Sequence, residues 1–229
     1  MSEETNVFGE IFGWVGTGLG MIFYIAPVVP FSKLVNDQLK INEVPGILLL
    51  CTFISTILWT DYGLLNNVYQ IYLSNSIGGG ITLIWITIFL IFLGKQTIKY
   101  ALLLIIFLMI VIGGISYIFY FIVKPKITGI LGMIFNVLMY AAPFEKITKV
   151  VKTKKYNLIP IYSTFGGFFC TLCWLIFGIY KKDLNLYLPN GLGLACLTAQ
   201  IIVYYYFYCK KTKPIEEDYD IIEEEENKL

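Results

Sequence analysis

Two stretches decide how this chain is read. Residues 45–78 are PGILLLCTFISTILWTDYGLLNNVYQIYLSNSIG, and residues 160–193 are PIYSTFGGFFCTLCWLIFGIYKKDLNLYLPNGLG. At an offset of 115, Pro45, Phe53, Thr56, Trp59, Gly63, Asn75 and Gly78 fall on Pro160, Phe168, Thr171, Trp174, Gly178, Asn190 and Gly193. Tyr62 falls on Phe177, a conservative change. Upstream, an offset of 116 sets Gly16, Tyr24, Ala26, Pro27 and Lys33 on Gly132, Tyr140, Ala142, Pro143 and Lys149. The one-residue shift lies in a loop, where a deletion is tolerated. Pro, Trp, Gly and Asn are not the residues that apolar helices share by accident, so the identities read as an internal repeat.

The repeat is built of membrane spans. Stretches without charge cover 11–32, 44–60, 62–94, 100–123, 127–144, 156–180 and 184–209. A spanning helix needs about 20 apolar residues, with a range of roughly 17–25. Seven stretches therefore predict seven spans. The window 62–94 also holds the end of span two and a turn at Asn66-Asn67, so span three fills roughly 70–94. The first span is too long, and its flank Met1–Glu10 too acidic, for a cleaved signal, so it reads as a retained helix.

Spans one to three and five to seven are the two units, and the fourth, roughly 99–123, has no counterpart. Three helices per unit would invert the second unit if the two were joined directly. One added helix restores the same orientation. The expected fold is an all-α membrane protein with two parallel three-helix repeats joined by a linker helix (3+1+3). Its segments are 1–8, 9–94, 95–124 for the linker, 125–209, and an acidic tail 210–229, which reads as solvated and disordered. Thirteen of the seventeen lysines fall in the loops and tail on one side. That side is expected to be cytoplasmic, with the N-terminus outside or lumenal.

Composition agrees and excludes much else. The chain has 229 residues, 57% hydrophobic and only 14% charged, against roughly 25% charge in a soluble domain. With a net charge of +1 there is no basic excess to neutralise phosphates, so no nucleic-acid partner is expected. There is no His, which excludes histidine catalysis and the zinc motifs that need it. No nucleophile–base pair or metal set is evident, so neither an enzyme nor a cofactor is expected. Cys51, Cys170, Cys173, Cys196 and Cys209 fall in or at the end of spans and read as packing residues.

Several residues could do chemistry. Asn75 and Asn190 sit at matched places in spans three and seven, where an unpaired amide is costly. They either bracket the hydroxyls of a neutral sugar or bond across packed helices. Trp59 and Trp174, one helix earlier, either stack on the apolar face of a pyranose or belong to an aromatic belt. Trp14 and Trp85 have no matched Trp and read as belt or packing. Pro27, Pro45, Pro143 and Pro160 fall near one end of spans one, two, five and six, as bends or as helix-end markers. Asp61, near the end of span two, either snorkels to the interface or takes a proton. The glycine runs at 16–20, 78–80 and 191–193 suggest close helix contacts.

Through Met139-Tyr140-Ala141-Ala142-Pro143, Val151-Lys152-Thr153-Lys154, Trp174-Leu175-Ile176-Phe177-Gly178 and Leu188-Pro189-Asn190-Gly191-Leu192-Gly193, the chain resembles the SWEET family of sugar facilitators. That family is itself a standard example of parallel transporter repeats. The resemblance covers about residues 9–209 and is weaker in the first half. It implies bidirectional uniport of a small neutral sugar, with Asn75, Asn190, Trp59 and Trp174 binding the cargo. Two Trp residues narrow the pocket toward a hexose. It implies an inner gate hinged on Pro27, Pro45, Pro143 and Pro160, and an outer gate of Tyr62 and Asp183. The alternative for Asp183, which follows Lys181 and Lys182, is a simply solvated carboxylate. The resemblance further implies homo-oligomers, with the plasma membrane as the default location. The alternatives are a proton-coupled carrier of the related PQ-loop group using Asp61, although no Pro-Gln dipeptide occurs, and a seven-helix receptor.

Overall fold

A computed structural model describes residues 3–44, 46–94 and 125–210. The described elements are all helical: α1 (Glu3–Ile25), α2 (Val28–Val35), α3 (Gly46–Leu65), α4 (Tyr69–Gly94), α5 (Pro125–Met139), α6 (Ala141–Thr153), α7 (Ile161–Tyr180) and α8 (Leu184–Cys209). One-turn 3-10 helices at Ile41–Glu43 and Tyr156–Leu158 precede α3 and α7. Six stretches are long and apolar enough to span a membrane: Val7–Val35, Gly46–Leu65, Tyr69–Leu93, Lys126–Thr153, Ile161–Tyr180 and Leu184–Cys209. They are the expected spans one, two, three, five, six and seven. The expected linker helix, Pro45 and nearly all of the acidic tail lie outside the described residues.

Spans one and five are each two helices rather than one. The first breaks at Ala26-Pro27. Proline has no N–H to continue the ladder, so the Ala26 N–H is shared between the carbonyls of Ile22 (3.1 Å) and Phe23 (3.2 Å). The helix restarts as the Phe31 N–H donates to the Pro27 carbonyl at 3.1 Å. The second break falls at Tyr140, the repeat partner of Tyr24. α6 then runs on past the apolar stretch through Lys146 and Lys152 to Thr153. Charge ends the apolar stretch but not the helical ladder, and the Glu145–Lys149 pair at 2.9 Å supports that polar end.

The repeat is visible in the packing. α4 lies against both α1 and α3, and α8 lies against α5 and α7 in the same way. The units meet along two seams, α1 with α7 and α3 with α5. Gly9 near the start of α1 meets Tyr180 at the end of α7, and Gly129 near the start of α5 meets Tyr62 near the end of α3. Both first helices therefore begin on the same face, and the units are parallel. That face carries the short turns 66–68 and 181–183. The opposite face carries the longer connections, 36–44 and 154–160 among the described residues.

The short turns match atom for atom. Asn67 (φ 56°) and Lys182 (φ 53°) are both left-handed. The Val68 N–H donates to the Gly63 carbonyl at 2.8 Å, and the Asp183 N–H to the Gly178 carbonyl at 2.9 Å. A Cβ on Gly63 would lie 2.5 Å from the Tyr72 nitrogen, and one on Gly178 2.8 Å from the Tyr187 nitrogen. Glycine is what lets the second and third helices of each unit close up here. Gly78 and Gly193 similarly accept Tyr24 and Tyr140, whereas Gly18 and Gly80 have nothing within 4 Å, so only part of the glycine runs serve packing.

Candidate functional site

A cavity of about 680 Å³ lies between the two units. That size falls among small-molecule sites, roughly 300–1,000 Å³. Trp59, Trp174, Asn75 and Asn190 all line it, so the four expected binding residues come together. The lining continues to Pro30, Val44, Leu48 and Lys146, toward the face of the longer connections.

The two indoles sit at matched places. Trp59 packs edge-on against Tyr62 with centroids 5.4 Å apart, and Trp174 against Phe177 at 5.7 Å. Each reaches across a seam because it meets a glycine. A Cβ on Gly132 would come within 3.0 Å of Trp59, and one on Gly16 within 3.1 Å of Trp174. The amides are fixed alike: Asn75 Nδ2 donates to the Ile71 carbonyl at 2.8 Å, and Asn190 Nδ2 to the Leu186 carbonyl at 2.7 Å. They differ at the oxygen. Asn75 Oδ1 accepts from the Tyr24 hydroxyl at 3.2 Å. Among the described residues, Asn190 Oδ1 has no such partner.

Asn136 was not expected in the site. Its Oδ1 accepts from Ser55 Oγ at 3.0 Å and from Trp59 Nε1 at 3.3 Å. The repeat partners of Asn136 and Ser55 are Gly20 and Cys170, which line the other side of the cavity. Matching the repeats for identities passes over such a residue. The signal was a difference, an amide in an apolar span where the other unit has glycine. Cys170, read from sequence as packing, is a lining residue for the same reason.

On the short-turn face a polar contact joins the two units. The Tyr62 hydroxyl donates to Asp183 Oδ2 at 2.7 Å, and Asn185 Nδ2 donates to Tyr62 Oη at 3.3 Å. Asp183 Oδ1 accepts from the Asn185 N–H at 3.0 Å, so the same carboxylate caps α8. Asp183 is thus engaged rather than simply solvated, and it joins the second unit to Tyr62 of the first.

Pro27 lines the cavity. Pro143 lies in the first turn of α6 and Pro160 caps the start of α7; neither lines the cavity. The Pro160 carbonyl accepts from the Thr164 N–H at 2.9 Å, an ordinary helix start. Both kinks are tied to the third helix of their own unit. Trp85 Nε1 donates to the Tyr24 carbonyl at 2.9 Å and stacks on Phe31 at 5.2 Å. Gln200, its repeat partner, donates through Nε2 to the Pro143 carbonyl at 2.9 Å. Trp85 therefore holds a kink rather than standing in a belt, whereas Trp14 is 49% exposed on α1.

Asp61 is 7% exposed and does not line the cavity. α3 continues through Leu65, so Asp61 lies a turn inside the helix end. Its repeat partner is Ile176.

Comparison with known proteins follows this geometry. Residues 10–97 and 126–213 match the family described as "Sugar efflux transporter for intercellular exchange", one block on each unit. The chain is 27% identical over 219 residues to the bidirectional sugar transporter SWEET7 of Arabidopsis thaliana, covering 92% of this chain and 84% of that one. It is 29% identical over 219 residues to SWEET5 of Arabidopsis thaliana, covering 92% and 90%. Its structure superposes on the 3.7 Å structure of a eukaryotic SWEET transporter with a TM-score of 0.77 at 19% identity, over 90% of this chain and 100% of the other.

Proposed function

Because the chain belongs to the family of sugar efflux transporters for intercellular exchange, multi-pass membrane proteins and not enzymes, we propose that it carries a small neutral sugar downhill by alternating access. A sugar moved in either direction follows the names of the similar bidirectional sugar transporters, and a hexose such as glucose follows the narrowing of the cavity by Trp59 and Trp174. The observation that carries this reading is the cavity itself. It joins the matched Trp59 and Trp174 to the matched Asn75 and Asn190 while a cross-unit hydrogen bond joins the units on one face.

In this mechanism the apolar face of the pyranose stacks on the indoles, and its hydroxyls bond the amides of Asn75 and Asn190. Asn136 and Ser55 add polar groups on the Trp59 side. A neutral cargo moving down its gradient needs no charged group to drive it. Rocking of the two units would break the Tyr62–Asp183 bond and close the opposite end near Pro27. The lysine bias makes the face of the longer connections cytoplasmic and the N-terminus external. A plasma-membrane location and a homo-oligomeric assembly complete the proposal.

Labelled glucose flux into proteoliposomes is the test, at equal pH and under a pH gradient, for the wild type and Asn190→Ala. Downhill flux that ignores pH and is lost in the mutant supports the proposal. No flux of any sugar by folded protein refutes the hexose assignment. A second reading, proton coupling through Asp61, is favoured by that carboxyl's burial. It requires flux that follows the pH gradient and disappears in Asp61→Asn.

A further inference from the structure

The two seams between the units are related by the repeat but are not locked alike on the short-turn face. On the α3–α5 side the lock is Tyr62 with Asp183. The repeat partner of Tyr62 is Phe177, which packs against Gly13 as Tyr62 packs against Gly129. Phe177 is fully buried and has no hydroxyl, so the same lock cannot form on the α1–α7 side. Another polar set stands there. Lys181 Nζ of the second unit pairs with Glu10 Oε1 of the first, and Gln70 Nε2 donates to Glu10 Oε2. Gln70 is the repeat partner of Asn185, the amide that bonds Tyr62. The start of each third helix therefore supplies an amide to the lock beside it. Lys181 also stands 5.4 Å above the Phe177 ring, on the residue that replaces the missing tyrosine.

We propose that Glu10 and Lys181, positioned by Gln70, form a second and ionic latch that holds the two units together on the short-turn face. The inference rests on the alternating-access reading. Both charged side chains are 34% exposed, so the pair is partly screened and reversible, as a latch released in every cycle must be. Opening this face then requires two separations, one of a neutral hydroxyl from a carboxylate and one of opposite charges.

The test is the distance between spin labels at Leu64 and Leu184, exposed residues of the first and second unit on the short-turn face. It is measured in reconstituted full-length protein whose five cysteines have been replaced and which still transports glucose. Glu10→Gln and Lys181→Gln should each raise the population with separated labels by roughly fivefold, the scale of a partly exposed ion pair. The double exchange Glu10→Lys with Lys181→Glu should restore the short distance, which a merely structural defect would not do. Wild-type distances in both single variants, with lengthening in Tyr62→Phe, would overturn the latch and leave the rocking mechanism intact. Single variants that lengthen the distance without rescue by the exchange would also overturn it. No change in any variant, Tyr62→Phe included, would remove the rocking mechanism and the latch together.

Discussion

The first unit and the second share a backbone but not a chemistry. Both place an indole against a glycine of the opposite unit, an amide bonded four residues back, and a left-handed residue at the short turn. Around that frame, the Trp59 side of the cavity holds Asn136 and Ser55, where the Trp174 side has Gly20 and Cys170. Asn75 is tied to Tyr24, while Asn190 keeps its oxygen clear of the described residues. The backbone features needed for two bodies to move as equivalents are kept in both copies. Of the cavity lining, the Trp and Asn pairs are kept, and the polar groups around them have diverged.

The sharpest break in that comparison is at the amides. Asn190→Ala should reduce glucose flux by about 10- to 100-fold, the loss of one or two hydrogen bonds to buried hydroxyls. Asn75→Ala should cost less, because its oxygen is already shared with Tyr24. Flux measurements in which Asn75→Ala is the more damaging would reverse this ranking.

The shared frame is tested at the glycines of the short turns. Gly63→Ala and Gly178→Ala should each destabilise by about 1–3 kcal/mol through overpacking, with Gly63 worse because its Cβ would lie nearer backbone, 2.5 against 2.8 Å. Thermal midpoints in detergent check this. Asn136→Gly, which makes the two sides of the cavity alike, should weaken glucose binding about three- to tenfold by releasing Trp59 and Ser55. Titration of the indole fluorescence with glucose reads it. The smallest effect is at the turns themselves. Lys182→Gly should stabilise by about 0.5–1 kcal/mol, since an ordinary side chain is strained at positive φ. Asn67→Gly should change little, because asparagine tolerates that conformation.

Much of this was legible in the sequence. Charge spacing located the six described spans, though the fifth runs nine residues beyond its uncharged stretch, from 144 to Thr153, and the matched Pro, Trp, Gly and Asn exposed the repeat. Asn75, Asn190, Trp59 and Trp174, which line the cavity together, were legible because both copies keep them. Asn136 and the Glu10–Lys181 pair were missed for the opposite reason: each exists in one copy and depends on a contact across a seam. The breaks at Pro27 and Tyr140 were half legible, since proline signals a bend but not which helix will hold it. Asp61 was legible as an acid near the end of span two, but not its burial, which depends on the neighbours the fold supplies.

In the proposed alternating access, the ties from Trp85 and Gln200 to the broken spans would bear on how fast the cycle runs. A carbonyl beside a helix break has no water to turn to inside lipid, and stripping a buried partner from it costs about 1–3 kcal/mol. A flexing of the first span at Pro27, or of the fifth at Tyr140, that broke these ties would add that amount to the activation barrier. Because both donors ride on the third helix of the same unit, a swing of whole three-helix blocks leaves these bonds intact. In that mechanism the low-barrier path would be the rigid one, with the bends acting as braces rather than as springs.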